Sequence, residues 1–147
     1  MLRFQREARA ASQLTHPGIA TVHDLGQTED GTLYIAMEFV DGPTLRDALA
    51  RGPMPGDRIA RLLRQIAGAL ATAHRQLIVH RDLKPANIVV RTGADGAETT
   101  KLLDFGIAKT LDEGGTKLTS TGLVIGTPQY MSPEQAPERP VDGRSDQ

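Results

Sequence analysis

Apolar positions in this chain fall into segments of two periods, and the segments alternate. From Asp57 onward, Ile59, Leu62, Leu63, Ile66, Leu70, Ala73 and Leu77 trace one apolar face over about five turns. This is the strongest helix the sequence predicts. A second helix is expected at the start, where Phe4, Ala8, Ala11 and Leu14 recur at helical spacing until Thr15-His16-Pro17 stops them. Between the two helices, "IATVHDLG" and "TLYIAMEFV" flank "TEDG", and Leu33, Ile35, Met37 and Phe39 alternate with other residues, which predicts a hairpin turning at Asp30-Gly31. Thr44 followed by Asp47 resembles a capping box that opens a short helix, closed by Gly52 and Pro53. Beyond the long helix, "NIVVRTGADGAETTKLLDFG" reads as two short apolar strands joined at Asp95-Gly96, the second ending on Asp104. Residues 111–124 turn to Gly, Thr, Ser and Lys, which predicts a mobile segment before "GTPQYMSPE" restores order.

Composition narrows the class of protein. The chain has 147 residues, 39% of them hydrophobic, and a net charge of −1, as expected of one soluble globular domain. Its basic residues are scattered, so nucleic acid is not an expected partner. Absence of Cys excludes disulfides and thiolate metal sites and fits a reducing, cytoplasmic setting. No apolar run nears the roughly 18 residues of a membrane span, although an anchor outside this chain is compatible with the sequence. With no Trp and few Phe or Tyr, the core must be built from Leu, Ile, Val and Ala.

Candidate chemistry lies in "HRDLKPAN", His80 to Asn87, a polar cluster between the apolar approach "LIV" and the apolar exit "IVV". Polar loops between buried segments commonly carry function. "DFG" begins 17 residues after Asn87, room for one hairpin that returns Asp104 beside the loop (104 − 87 = 17). Asp82, Asn87 and Asp104 then converge with oxygen donors only, the set that suits Mg²⁺ on phosphate and not Zn²⁺.

"HRDLKPAN", "DFG" and "GTPQYMSPE", in this order, resemble the catalytic loop, metal-binding loop and activation-segment end of protein kinases. Lys84 and Thr127 are similar to the Ser/Thr branch, and "AMEFVDGPTLRD" and "YMSPEQA" look most like bacterial transmembrane Ser/Thr kinases. The resemblance implies an α+β, two-lobe, protein-kinase-like fold in truncated form, with residues 1–40 a partial N-lobe and 41–147 a partial C-lobe. It implies ATP and Mg²⁺, protein substrates bearing Ser or Thr, and it admits self-association for autophosphorylation in trans. By the same likeness Asp82 accepts the proton of the substrate hydroxyl, Lys84 steadies the transferred phosphoryl group, and Asn87 and Asp104 hold Mg²⁺. Glu7 is the acid of helix C, Met37 the gatekeeper, Glu38 to Val40 the hinge for adenine, and Val89 the floor under the ring. His80, Phe105 and Ala11 pack as spine residues, and Asp146 braces the catalytic loop. Arg81 implies control by a phosphate on Thr119 or Thr121. His16, His23 and His74 read as structural.

The sequence also departs from the family pattern. No G-x-G-x-x-G occurs, and neither Lys84 nor Lys101 lies on a strand before the first helix, so the chain is expected to cover only the middle of the domain. The isolated polypeptide is therefore expected to fold poorly and transfer little phosphate, since losing one charged stabiliser typically costs about 3 kcal/mol in the transition state. Two other readings stand beside it: a pseudokinase-like binding module or truncated relic, and a small-molecule phosphotransferase of the aminoglycoside kinase type. Arg81 and "GTPQYMSPE" speak against the second, and intact Asp82, Asn87 and Asp104 against the first.

Overall fold

A computed structural model of the chain describes residues 14–105, 128–135 and 141–146. The expected first helix, apart from Leu14, and the segment 111–124 lie outside the described residues. So do Glu7, Ala11, Thr119, Thr121 and Thr127.

Strands β1 (Val22–Gln27) and β2 (Leu33–Met37) form the expected antiparallel hairpin, with a bulge between Val22 and Asp24. Its turn needs Gly31, whose φ of +90° is costly for any residue with a Cβ. Helix α1 (Leu45–Ala50) opens on a reciprocal capping box. The Asp47 N–H donates to Thr44 Oγ1 at 3.2 Å, and the Thr44 N–H donates to Asp47 Oδ2 at 3.1 Å.

Helix α2 (Gly56–Arg75) buries Leu62, Ile66, Ala69, Leu70 and Ala73, and this face packs on the second hairpin. The buried stripe is narrower than the apolar periodicity predicts. Ile59 is 40% and Leu63 56% exposed, because at about 100° per residue they flank the side that meets β4. Leu77 does not belong to the helix face at all. The helix ends in a Schellman turn: the Ile78 N–H donates to Ala73 O at 3.0 Å and the Leu77 N–H to His74 O at 2.9 Å. Leu77 occupies the left-handed position of that turn, at φ +60°, and its side chain is 92% exposed.

Strands β3 (Ile88–Thr92) and β4 (Glu98–Leu102) pair antiparallel, with Ile88 opposite Leu102 and Thr92 opposite Glu98. Gly96, at φ +79°, turns the chain where Asp95-Gly96 predicts it. The strand stops at Leu102, short of the expected end at Asp104. Leu103 still donates its N–H to Asn87 O at 2.9 Å, but Asp104 adopts φ +54°, which breaks the extended run. The free edge of β4 is covered by α2: the Thr100 N–H donates to Gln65 Oε1 at 2.8 Å, and Gln65 Nε2 donates to Glu98 O at 3.0 Å. Arg58 adds a forked ion pair to Glu98, with N–O distances of 2.9 and 2.7 Å.

The hairpins are joined through the segment after Leu14. Ala20 donates to Leu102 O and Leu102 to Gly18 O, both at 2.9 Å, so Ile19 makes a parallel bridge with Leu102. Leu14, Ile19, Ile66, Leu70, Ile88, Leu102 and Phe105 close one hydrophobic core, aliphatic apart from Phe105, and Leu102 is fully buried in it. Within the described residues no helix is long and apolar enough to cross a membrane.

Candidate active site

The loop between α2 and β3 is held from below by a single buried carboxylate. Asp146, in the 3-10 turn Gly143–Asp146, accepts the His80 N–H at 2.7 Å, the Arg81 N–H at 2.9 Å and His74 Nε2 at 2.8 Å. The expected brace is therefore present. His74, read from the sequence only as structural, is part of it. Arg81 takes φ +64°, and its carbonyl accepts Gln135 Nε2 at 2.6 Å. Sequence reasoning missed Gln135, whose Oε1 also accepts the Ser132 N–H at 3.0 Å and so ties "SPEQ" to the loop.

His80 is fully buried, and its ring lies 4.7 Å from that of Phe105. Its Nε2 faces Leu103 O at 2.9 Å, an acceptor, while Nδ1 faces the Asp82 N–H at 3.3 Å, a donor. Only the neutral tautomer protonated on Nε2 satisfies both. Burial pushes the imidazole below its ordinary pKa, outweighing the opposing pull of Asp146.

At the upper end of the loop, Asp82 gathers its neighbours. Lys84 Nζ lies 2.7 Å from Asp82 Oδ2, and Asn87 Nδ2 donates to Asp82 Oδ2 and to Asp82 O, both at 2.9 Å. Asn87 is buried in the 3-10 turn Pro85–Asn87, where Pro85 provides a compatible first residue. With its amide nitrogen committed to Asp82, Asn87 keeps its carbonyl oxygen for another partner. The bond from Leu103 to Asn87 brings the β4 exit alongside, so Asp104 follows next to Asn87 at the same end of the hairpin. Asp104 is exposed and makes no side-chain bond to the described residues.

The resulting donor set is two carboxylates and an amide. No three His, Cys, Asp or Glu side chains cluster among the described residues; oxygen donors of this kind suit a hard ion that takes the rest of its shell from phosphate oxygens and water. Mg²⁺ fits it.

The segment from Met37 to Thr44 runs from β2 across β3. Met37 pairs with Val22, and the Glu38 N–H donates to Thr21 O at 2.8 Å. Val40 is half-buried. Further along, the Val90 N–H donates to Pro43 O at 2.9 Å, and Thr44 bridges to Val89, which is 3% exposed. Gly42 permits this approach: a Cβ there would stand 2.8 Å from Val90 O, at a φ of +143°. Val89 is thus packed under the segment expected to face a ring. A separate cavity of about 240 Å³, lined by Arg51, Arg58 and Glu98 among others, includes none of the loop residues.

Sequence reasoning also missed Lys101. Its Nζ donates to both carboxylate oxygens of Glu38, at 2.7 and 2.5 Å. The available signal was a single cation between Thr100 and Leu102, both of which are buried.

Residues 2–147 match the family model described as protein kinase domain. The chain is 50% identical to serine/threonine-protein kinase pkn3 of Myxococcus xanthus, covering 98% of this chain and 27% of the relative. It is 46% identical to PknB of Mycobacterium tuberculosis, covering 99% of this chain and 23% of the relative. It thus spans about a quarter of the length of these curated relatives. Among solved structures, the PknI kinase domain of M. tuberculosis superposes with a TM-score of 0.75 at 34% identity, covering 99% of this chain and 51% of that one.

Proposed function

The chain belongs to the protein kinase domain family and has a partial kinase fold, and from that premise we propose that it carries the transfer centre of a Ser/Thr protein kinase. In this reading residues 1–40 belong to the N-lobe and 41–147 to the C-lobe. The observation that carries the proposal is the convergence of Lys84 and Asn87 on Asp82, with Asp104 delivered beside Asn87 by the hairpin.

The chemistry follows from the groups present. Asp82 accepts the proton of a Ser or Thr hydroxyl as its oxygen attacks the γ-phosphorus of ATP and the bond to the ADP oxygen breaks. Asn87 holds the Asp82 carboxylate in place through its amide nitrogen. Lys84, now paired with Asp82, is near enough to turn its ammonium to the transferring phosphoryl group and offset its charge. Asn87 Oδ1 and Asp104 would hold Mg²⁺, which would supply charge neutralisation on the phosphates. The backbone of Glu38 to Val40 meets the adenine edge, Met37 limits the pocket behind it, and Val89 lies beneath the ring. Glu7, on the expected helix C, is the acid for an ATP-orienting lysine, to which no lysine of this sequence corresponds. Arg81 is the site where a phosphate on Thr119 or Thr121 links modification to activity, Thr127 belongs to the same regulatory group, and self-association supplies that phosphate in trans.

The test is transfer of labelled phosphate from ATP to a mixed Ser/Thr protein substrate by the natural gene product that contains this sequence. Asp82→Asn is expected to lower kcat by about 10²–10⁴-fold with ATP affinity retained. Equal rates for parent and variant refute the assignment of the base. ATP binding without any transfer favours a non-catalytic binding module, and label on an aminoglycoside but not on protein favours the small-molecule phosphotransferase.

A further inference from the structure

We infer that Lys101, acting through Glu38, is a positioning residue for the adenine ring, setting the hinge backbone at a fixed place over Val89; this deepens the kinase reading and rests on it. Lys101 and Glu38 lie 63 residues apart in sequence, and their side chains are only 15% and 28% exposed. A forked, half-desolvated pair of this kind is stiffer than a surface ion pair.

Three further contacts make the pair a clamp on the hinge. Thr21 donates its N–H to Glu38 Oε2 at 3.2 Å and accepts the Glu38 N–H at 2.8 Å, so the glutamate is fixed at both main chain and side chain. The strand neighbour of Thr21 is itself bonded to β4, through Ala20 and Leu102. Lys101 stands directly across the ladder from Val89. One side chain therefore spans from the floor residue's partner position to the hinge, and the whole arrangement hangs from β4.

That strand has a second consequence. Lys101 precedes Asp104 by three positions on the same run of chain (104 − 101 = 3). The hinge end, which meets adenine, and the carboxylate end, which meets the phosphates, are thus tied to one short element. Lys101 fixes the span between them. Glu38 is held ionised for this task, since its bond to Lys101 lowers its pKa despite partial burial.

The experiment compares the natural gene product with Lys101→Met, which keeps the apolar stem and removes the charge. KM for ATP is expected to rise about tenfold while kcat changes less than about threefold, and the preference for ATP over ITP is expected to narrow, because adenine-specific hinge contacts lose their register. Glu38→Gln is expected to act alike, the double variant no worse than either single one, and Lys101→Arg to recover most of the affinity. Unchanged ATP affinity and unchanged ATP/ITP preference in Lys101→Met, with the parent binding ATP normally, overturn the clamp alone. A parent that binds no ATP overturns the clamp and the kinase reading together. Variants that lose thermal stability while keeping ATP affinity and preference assign Lys101 a purely structural role, which also overturns it.

Discussion

Asp146 Oδ1 accepts the Arg81 N–H at 2.9 Å across 65 residues of sequence, and the residue it grips sits at φ +64°. A non-glycine residue in that region costs about 1–2 kcal/mol and persists only where its surroundings determine it. Asp146 supplies that determination with two oxygens, one on Arg81 and one shared by His80 and His74. Asp82 follows immediately, so the aim of the candidate base depends on a carboxylate that never touches it in the described contacts.

Asp146→Asn tests this dependence. The amide keeps one acceptor and turns a donor toward a backbone N–H, leaving a buried group unpaired at a cost of about 2–3 kcal/mol. The urea midpoint should fall accordingly, and the His80 and Arg81 amides should exchange with solvent faster than the rest of the loop. An unchanged midpoint with unchanged exchange would show that other contacts hold Arg81 in place.

Leu77 offers a change in the opposite direction. It takes the left-handed position of the turn that ends α2 while its side chain is 92% exposed, so it pays conformational strain and gains little burial. Leu77→Gly is expected to stabilise the fold by about 0.5–1 kcal/mol, the relief of strain exceeding the entropy lost by glycine. Denaturant titration reads this directly, and a destabilised variant would mean that Leu77 is packed against something.

His80 makes stability depend on pH near neutrality. Burial lowers its folded pKa below the ordinary 6.5, so between the two values the unfolded chain binds the extra proton and the folded one does not. The contribution is complete above about pH 6.5 and is lost as pH falls below it, at up to about 1.4 kcal/mol per pH unit. Carboxylates with lowered values, such as Glu98 and Asp57, respond only in the more acidic range of ordinary carboxyls. Unfolding midpoints should therefore drop between about pH 7 and about pH 5.5, while the His80 ring proton resonance of the folded state stays unshifted. A His80 resonance that titrates near the ordinary value in the folded protein contradicts this.

The local elements were legible because their causes lie within a few residues of one another. Asp30-Gly31 and Asp95-Gly96 announce turns, Thr44 and Asp47 cap a helix, and the spacing from Leu62 to Ala73 marks the face that α2 buries. Oxygen donors in "HRDLKPAN" and "DFG" singled out Asp82, Asn87 and Asp104, and the resemblance of these motifs to protein kinases added Lys84 and the roles. Periodicity overran at Leu77, where a hydrophobic residue continues the pattern one step past the point at which the backbone has left the helix.

What the sequence by itself determined was the set of short elements and the order of their polar loops. The tertiary structure alone decided which distant partners meet without any sequence signal, Lys101 with Glu38, Gln65 with the edge of β4 and Gln135 with the main chain of Arg81. The Asp146 brace was expected from the family resemblance, and only its bonds and its His74 partner came from the fold. The reason is physical. Turns and caps are fixed by bonds that close over three or four residues, whereas each of those pairings exists only because the core around Leu102 brings strands, loop and late turn to one place.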